Sequence, residues 1–267
     1  MDRSTVSTDK QQSAETLRVH LKTAKSLRQQ ANCDPAVASK RLRLRQWQAA
    51  RLARTHADLL ASPRFGQAAE FFLSDIYGPK DFSSRDEEVE RILPLLIKML
   101  PVSALRALAL AVEVDALTEQ LDSATVAELS RRGSIDCISE DAYATAYRAV
   151  GCRPDRERQI VLIRQTGEAL DKLARKPVLS GLLRLMRGPA HLAGLGDLHS
   201  FLDCGFKAFR HMGSATEFLD SIDGKEQSLL ARLFAGAPSP FSNSGSAVLH
   251  AVTQGNTEHT DLERFTR

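Results

Sequence analysis

The sequence predicts an all-α fold, a globular bundle of about ten helices with a disordered C-terminal tail, and three observations predict it. Helix start and stop signals recur along the chain. Runs of β-branched residues alternating between turn signals are missing. Apolar residues return at i, i+3, i+4 spacing in most segments between those signals. With 267 residues, 43% of them hydrophobic and 26% charged, the chain carries enough apolar material for a real interior.

The elements follow in order. A helix is expected from about Ser13 to Gln30, with Leu17, Leu21, Ala24 and Leu27 on one face and Lys22, Lys25 and Arg28 off it, so it is amphipathic and basic. Asp34 and Pro35 supply an N-cap and a first-turn residue with preset φ, which starts a second helix running to about Leu60. Its apolar stripe reads Ala38, Leu42, Ala49, Leu52, Ala53 and Leu60, while Lys40, Arg41, Arg43 and Arg45 crowd its first half. Trp47, the only tryptophan, sits off that stripe and is placed to meet a neighbouring helix. Ser62 and Pro63 repeat the start signal, and Phe65, Ala68, Ala69, Phe72, Leu73 and Ile76 follow the helical template without a miss. Tyr77-Gly78-Pro79 ends that helix.

Ser84 and Glu87 have capping-box spacing, with Asp86, Glu87 and Glu88 in the first turn, so a helix runs to Leu100 with a kink near Pro94. After Pro101, Ser103 is a cap for a very apolar stretch from Ala104 to Leu121, which belongs at the centre. Shorter helices are expected from Ser123 to Arg132, ended by Gly133, and from Ser139 to Val150, ended by Gly151. Pro154 opens a long helix to about Arg175, and Val178 to Arg187 forms another stopped by Gly188. Pro189 to about His211 follows, and Ser214 and Glu217 form a second capping box for a last helix to Phe234.

The domain reading has three parts. Residues 1–33 are a basic amphipathic helix with a flexible start, residues 34–235 a single globular helical domain, and residues 236–267, rich in Pro, Ser, Gly, Asn and Thr, a disordered tail. No internal period of about 34 or 40 residues suggests a solenoid.

Charge is uneven along the chain. Residues 1–54 hold 12 Lys/Arg against 4 Asp/Glu, and residues 55–130 hold 6 against 13. Either the basic and acidic segments meet inside the fold or the basic one meets an acidic partner. The first has at least as much support as the second.

Function classes narrow mainly by exclusion. No apolar run approaches the roughly 20 residues of a membrane span, and the opening MDRSTVSTDKQQ lacks the apolar stretch of a secretory signal, so a cytoplasmic protein is expected. Cys33, Cys137, Cys152 and Cys204 lie far apart, as reduced thiols some of which are buried. Nucleophile-elbow and phosphate-loop motifs are absent, and Gly194-Leu195-Gly196 lacks the third glycine of a dinucleotide loop. His191, His199 and His211 are too widely spaced for a local metal pair, so no metal and no cofactor is indicated.

Three groups of residues remain as candidates. Glu113 and Asp115 on the apolar helix would need a partner or a raised pKa if buried, and pairing with a neighbouring arginine or reaching the surface at the edge of the stripe is the expected outcome. Lys40, Arg41, Arg43 and Arg45 could neutralise phosphates, although a solvated or internally docked face is favoured over a nucleic-acid contact. The densest polar-aromatic patch is the corner from Phe71 to Asp86, where Phe71, Asp75, Tyr77, Asp81, Arg85 and Asp86 gather around a Gly-Pro turn. That corner is a candidate for binding a ligand or partner, or for locking the turn.

The run FFLSDIYGPKDFSSRD (Phe71 to Asp86), the ILPLLIKMLP stretch and the later RLMRGPAHLAGLGDLHSFLDCGFKAFRHMG resemble a family of uncharacterised proteobacterial proteins sharing an FFLxDxYGPxDFxxRD signature. The resemblance spans roughly residues 40–235. It implies a bacterial cytoplasmic protein and brings no activity, ligand or partner with it.

The leading expectation is a non-enzymatic module that binds a protein or small-molecule partner. An enzyme or cofactor binder with a pocket between helices, using Glu113 or Asp115, is the alternative. Nucleic-acid binding through the basic N-terminal region is a third.

Overall fold

The computed structural model describes residues 3–76 and 83–242. Among them are eleven α-helices, one π-helical turn and no strand. The helices are α1 (Arg3–Asn32), α2 (Pro35–Thr55), α3 (Ala57–Ala61), α4 (Gly66–Phe71), α5 (Ser83–Met99), α6 (Val102–Arg131), α7 (Glu140–Val150), α8 (Arg153–Ala174), α9 (Pro177–Leu192), α10 (Gly196–Met212) and α11 (Thr216–Ala235), with the π turn at Phe72–Ile76. The protein is an all-α helical bundle. No helix among the described residues is long and apolar enough to cross a membrane.

Helix α6, about 45 Å long at 1.5 Å per residue, is the axis on which α1, α2, α7 and α8 lie. Against α8 the partners fall in number as α6 rises: Lys176 meets Ser103, Arg158 meets Glu113, and Arg156 meets Thr125. The two helices are therefore antiparallel. Helix α10 is a second hub, carrying α4, α5, α8 and α9.

Several boundaries differ from the sequence expectation, each for a physical reason. Helix α1 begins about ten residues early, ahead of its apolar stripe, where Lys10 donates to the Lys98 carbonyl at the end of α5 (3.2 Å). Its Ala14, Leu17 and Leu21 share a core with Val89, Leu93 and Leu105, so residues 1–33 contribute to the interior. The expected break between Leu121 and Ser123 does not occur, and α6 is continuous. Ser123, where a new helix was expected to start, turns back onto α6, its Oγ donating to the Glu119 carbonyl, and Thr125 Oγ1 donates likewise to the Leu121 carbonyl, both at 2.7 Å. Ser103 caps nothing, because Pro101 occupies the N-cap position.

Gly188 and Pro189 fall inside α9 rather than between two helices. The break comes at Gly194, in the left-handed region (φ 67°), whose carbonyl accepts from Arg91 Nη2 (2.6 Å). Glu88 then accepts from the Leu198 amide (2.8 Å) in the first turn of α10. Both determinants come from α5, about a hundred residues away in sequence. The last capping box is also unused: Ala215 is the N-cap of α11, and Glu217 pairs with Arg64 (2.8 Å). Asp34 caps as expected, accepting from the Ala36 amide (2.8 Å), and Ser139, expected as the first helical residue, is the N-cap of α7, accepting from the Ala142 amide (3.1 Å).

Two further cores lie beside the one shared by α1, α5 and α6. One is aromatic, with Phe71, Phe72, Phe209 and Phe218 packed beside Leu59, Met212 and Leu219. Gly205 is required there, because a Cβ at that position would lie 2.8 Å from the Phe71 ring. The other surrounds Leu44, Leu129, Tyr143, Ala146, Leu229 and Leu230. Here Trp47 stacks on Tyr143 (centroids 4.1 Å) and meets the edge of Phe241 (5.5 Å). Residues 236–242, assigned to the tail from composition, thus return to the core, while 243–267 lie outside the described residues. All four cysteines are exposed, including those expected to be buried.

Candidate functional site

The face α2 turns inward is not the one its apolar residues mark. Leu42 is 44% exposed, whereas Leu44 is buried and Arg41 is only 6% exposed. Arg41, Arg45, Gln48 and Arg51 recur at helical spacing along a polar inner face, and their partners lie on α6 and α11. Glu119 of α6 is 1% exposed and forms ion pairs with Arg28 (3.0 Å), Arg41 and Arg45. Asp122 accepts from Gln48 Nε2 (3.0 Å). Asp115 pairs with Arg28 (2.5 Å) and Glu113 with Arg158 (2.8 Å). The basic first segment and the acidic second one therefore meet inside the fold, joined also by Lys25 and Glu90. Burial, with Arg45 close by, lowers the Arg41 guanidinium to about 10, which leaves it charged at neutral pH.

Further along α2, Arg51 Nη1 donates to both oxygens of Glu226 on α11 (2.6 and 2.8 Å), and His56 Nε2 meets Glu226 Oε1 (3.0 Å). Burial alone would raise the Glu226 carboxyl. The charge of Arg51 and the hydrogen bonds from His56 and Arg51 outweigh it and hold Glu226 at about 2. With Glu226 ionised, the His56 Nε2 facing it carries the proton.

These groups line one cavity of about 140 Å³ between α2, α6, α7, α8 and α11. Its apolar wall includes Leu52, Phe72, Leu73, Ile163, Phe218 and Leu229, and its polar wall includes Arg51, His56, Tyr143, Tyr147, Arg156 and Glu226. Arg156 is 5% exposed. One Nη donates to Thr125 Oγ1 (3.0 Å), and the guanidinium lies over the Tyr147 ring, 4.4 Å from its centroid. Burial pushes the Tyr147 phenol up, against the charge of Arg156. The Nε atoms of Arg156 and Arg51 and the Nδ1 of His56 have no hydrogen-bond partner among the described residues.

The sequence candidates fall only partly among the described residues. Phe71 is buried in the aromatic core, against Phe201 (5.3 Å) and Gly205. Tyr77 and Asp81 lie outside the described residues, as do the side chains of Asp75, Arg85 and Asp86. Among the described residues of the corner, the π turn presents Phe72 and Leu73 to the cavity; π turns in helices are often found at functional sites. Of the four basic residues on α2, Arg41 and Arg45 face inward, Arg43 pairs with Asp136, and Lys40 is half-buried. Glu113 and Asp115 are both paired with arginines, one of the two outcomes that the sequence reading expected.

Sequence reading missed Arg51, His56, Tyr147, Arg156 and Glu226. A signal existed for α2, in the helical recurrence of Arg41, Arg45, Gln48 and Arg51. None existed for Arg156, whose surroundings come from α6 and α7. No group of three or more His, Cys, Asp or Glu among the described residues is placed to hold a metal ion.

The fold and this interior define the class: an all-α bundle with a partly charged cavity between its helices. Within that class, the chain belongs to the family described as "Domain of unknown function (DUF8198)", whose model matches residues 27–240. No curated protein and no solved structure matches the chain.

Proposed function

We propose that this protein is a non-enzymatic binding module that holds a small ligand in the cavity between α2, α6, α7, α8 and α11. The observation that carries the reading is that Arg51, His56 and Arg156, each with a polar atom that has no partner among the described residues, line one cavity together with many apolar side chains. A buried polar group without a partner costs about 1–3 kcal/mol. Convergence of such groups on one concave, otherwise apolar space is the general form of a ligand site.

Proton chemistry has less support. Glu226 sits at about 2 and the Tyr147 phenol is pushed up, so neither changes protonation near neutral pH. Nucleic-acid binding has less support as well, because Arg41 and Arg45 are engaged with Glu119 inside the fold. The resemblance to proteobacterial proteins supports a bacterial cytoplasmic setting.

The test is ligand-observed NMR of the full-length protein against a fragment set containing acids, bases and neutral compounds, repeated on Ile163→Trp. Binding that the cavity-filling substitution removes, with the helical circular dichroism unchanged, is the expected result. A folded wild-type protein that binds no fragment, or binding indifferent to Ile163→Trp, overturns the reading.

A further inference from the structure

Arg51 and Arg156 differ in one respect. The charge of Arg51 is met by Glu226 at 2.6 Å. No carboxylate among the described residues lies within ion-pair reach of Arg156; its contacts are the Thr125 hydroxyl and the Tyr147 ring. A guanidinium that is 5% exposed has therefore lost most of its water and gained no anion. The Thr125 hydroxyl does not need it, because that hydroxyl already donates to the Leu121 carbonyl (2.7 Å). The Tyr147 face supplies a weak cation–π attraction, which does not replace a counter-ion. The unpartnered Nε is itself a donor on the cavity-lining side chain.

The remaining space limits the ligand. An engineered apolar cavity of about 150 Å³ accepts a benzene ring, and this cavity of about 140 Å³ is of that order. Its lining includes Phe72, Phe218, Ile163 and Leu229 beside the polar groups. The other charges on the lining are already paired: Arg51 with Glu226, Asp115 and Glu119 with Arg28, and Arg45 with Glu119 and Asp122. A single unmet positive charge calls for a single negative charge, and those carboxylates disfavour a second one.

We infer that the cavity is a site for a small organic monoanion, a carboxylate with an apolar body about the size of a benzene ring, whose head group pairs with Arg156. This inference rests on the cavity-binding reading above and adds the charge and size of the ligand. A guanidinium suits a carboxylate because its donors form a planar fork matching two oxygens.

The experiment is isothermal titration of the full-length protein with benzoate, benzyl alcohol, benzylamine and inorganic phosphate, together with thermal unfolding of Arg156→Met and Arg156→Lys. Benzoate is expected to bind roughly tenfold or more tightly than benzyl alcohol, as a charge-assisted hydrogen bond requires, with benzylamine and phosphate showing no heat. Arg156→Met is expected to abolish benzoate binding and to raise the unligated Tm by about 3 °C, because a buried unpaired charge is removed. Arg156→Lys keeps the charge without the fork and is expected to bind benzoate roughly tenfold more weakly, which gives a readout even if the methionine variant does not fold.

Benzyl alcohol binding as tightly as benzoate overturns the anion inference while leaving the cavity reading intact. Phosphate binding as tightly as benzoate overturns the apolar body. A methionine variant that melts lower and still binds benzoate assigns Arg156 a purely structural role and overturns the inference. Failure of all four probes overturns it too, and the wider fragment set then decides the cavity reading separately.

Discussion

Two parts of this protein's interior, the aromatic core and the ion-pair cluster at Glu119, are built on opposite principles. Around Phe71, Phe72, Phe209 and Phe218 the chain excludes water with rings, and cohesion is non-directional. Around Glu119 it buries charges and holds them by pairing, three guanidiniums on one carboxylate. Removing part of the aromatic interior leaves a space that neighbours can partly fill. Removing one charge from the ionic interior leaves its partners uncompensated in a poorly polarisable medium, and such a charge cannot relax away. The ionic interior is therefore the more brittle of the two, and the α2–α11 ion pair extends it to the edge of the cavity.

That contrast can be broken or sharpened by experiment. Glu119→Ala is expected to have the largest effect, a loss of about 3–5 kcal/mol or failure to fold, since Arg28, Arg41 and Arg45 lose their shared counter-ion. Urea unfolding monitored by circular dichroism measures it. A loss below about 1 kcal/mol would mean that water reaches Glu119 and that the two interiors do not differ in kind. Phe218→Ala, at a fully buried ring, is expected to lose about 3–4 kcal/mol. This loss is expected to be nearly independent of pH between about 4 and 8 on the same assay, because no titratable group is removed.

Next comes acid sensitivity. Glu226 has a folded pKa of about 2 against an ordinary value of 4.5, so its stabilising contribution is complete above pH 4.5 and is lost as pH falls toward 2. The contribution is roughly 3 kcal/mol by linkage. Unfolding free energies measured from pH 6 to pH 2 should therefore fall less steeply in Glu226→Gln than in wild type, and parallel curves would show that Glu226 carries no such linkage. The smallest effect is expected at Gly205→Ala, where the new methyl meets the Phe71 ring at 2.8 Å. The clash outweighs the gain in helix propensity, and a net loss of about 1 kcal/mol is expected. A gain in Tm would mean that the aromatic interior has slack.

The same contrast explains what the sequence made legible. The all-α bundle, the central position of α6 and the cap at Asp34 could all be read, because apolar periodicity and local capping are encoded within a few residues of where they act. Helix α2 was misread because its inner face is charged. The rule that apolar residues point inward selected Leu42, which is exposed, over Arg41, which is buried. The α9–α10 boundary was missed because Glu88 and Arg91, far away in sequence, determine it. The cavity was illegible for a related reason. Arg51, Arg156 and Glu226 are ordinary surface-type residues on α2, α8 and α11, and only assembly of the bundle turns them toward one space. The meeting of basic and acidic segments was foreseeable from charge, though not the residues that meet.

The only indole in the molecule sits where these parts join. Trp47 lies on α2, stacked on Tyr143 and closed over by Phe241 from the segment after α11, and Tyr143 and Phe241 both line the cavity. Its fluorescence is therefore a built-in optical gauge. A change in the cavity wall or a withdrawal of residues 236–242 alters the ring's immediate surroundings, so emission colour and quenching follow these events in the unlabelled protein.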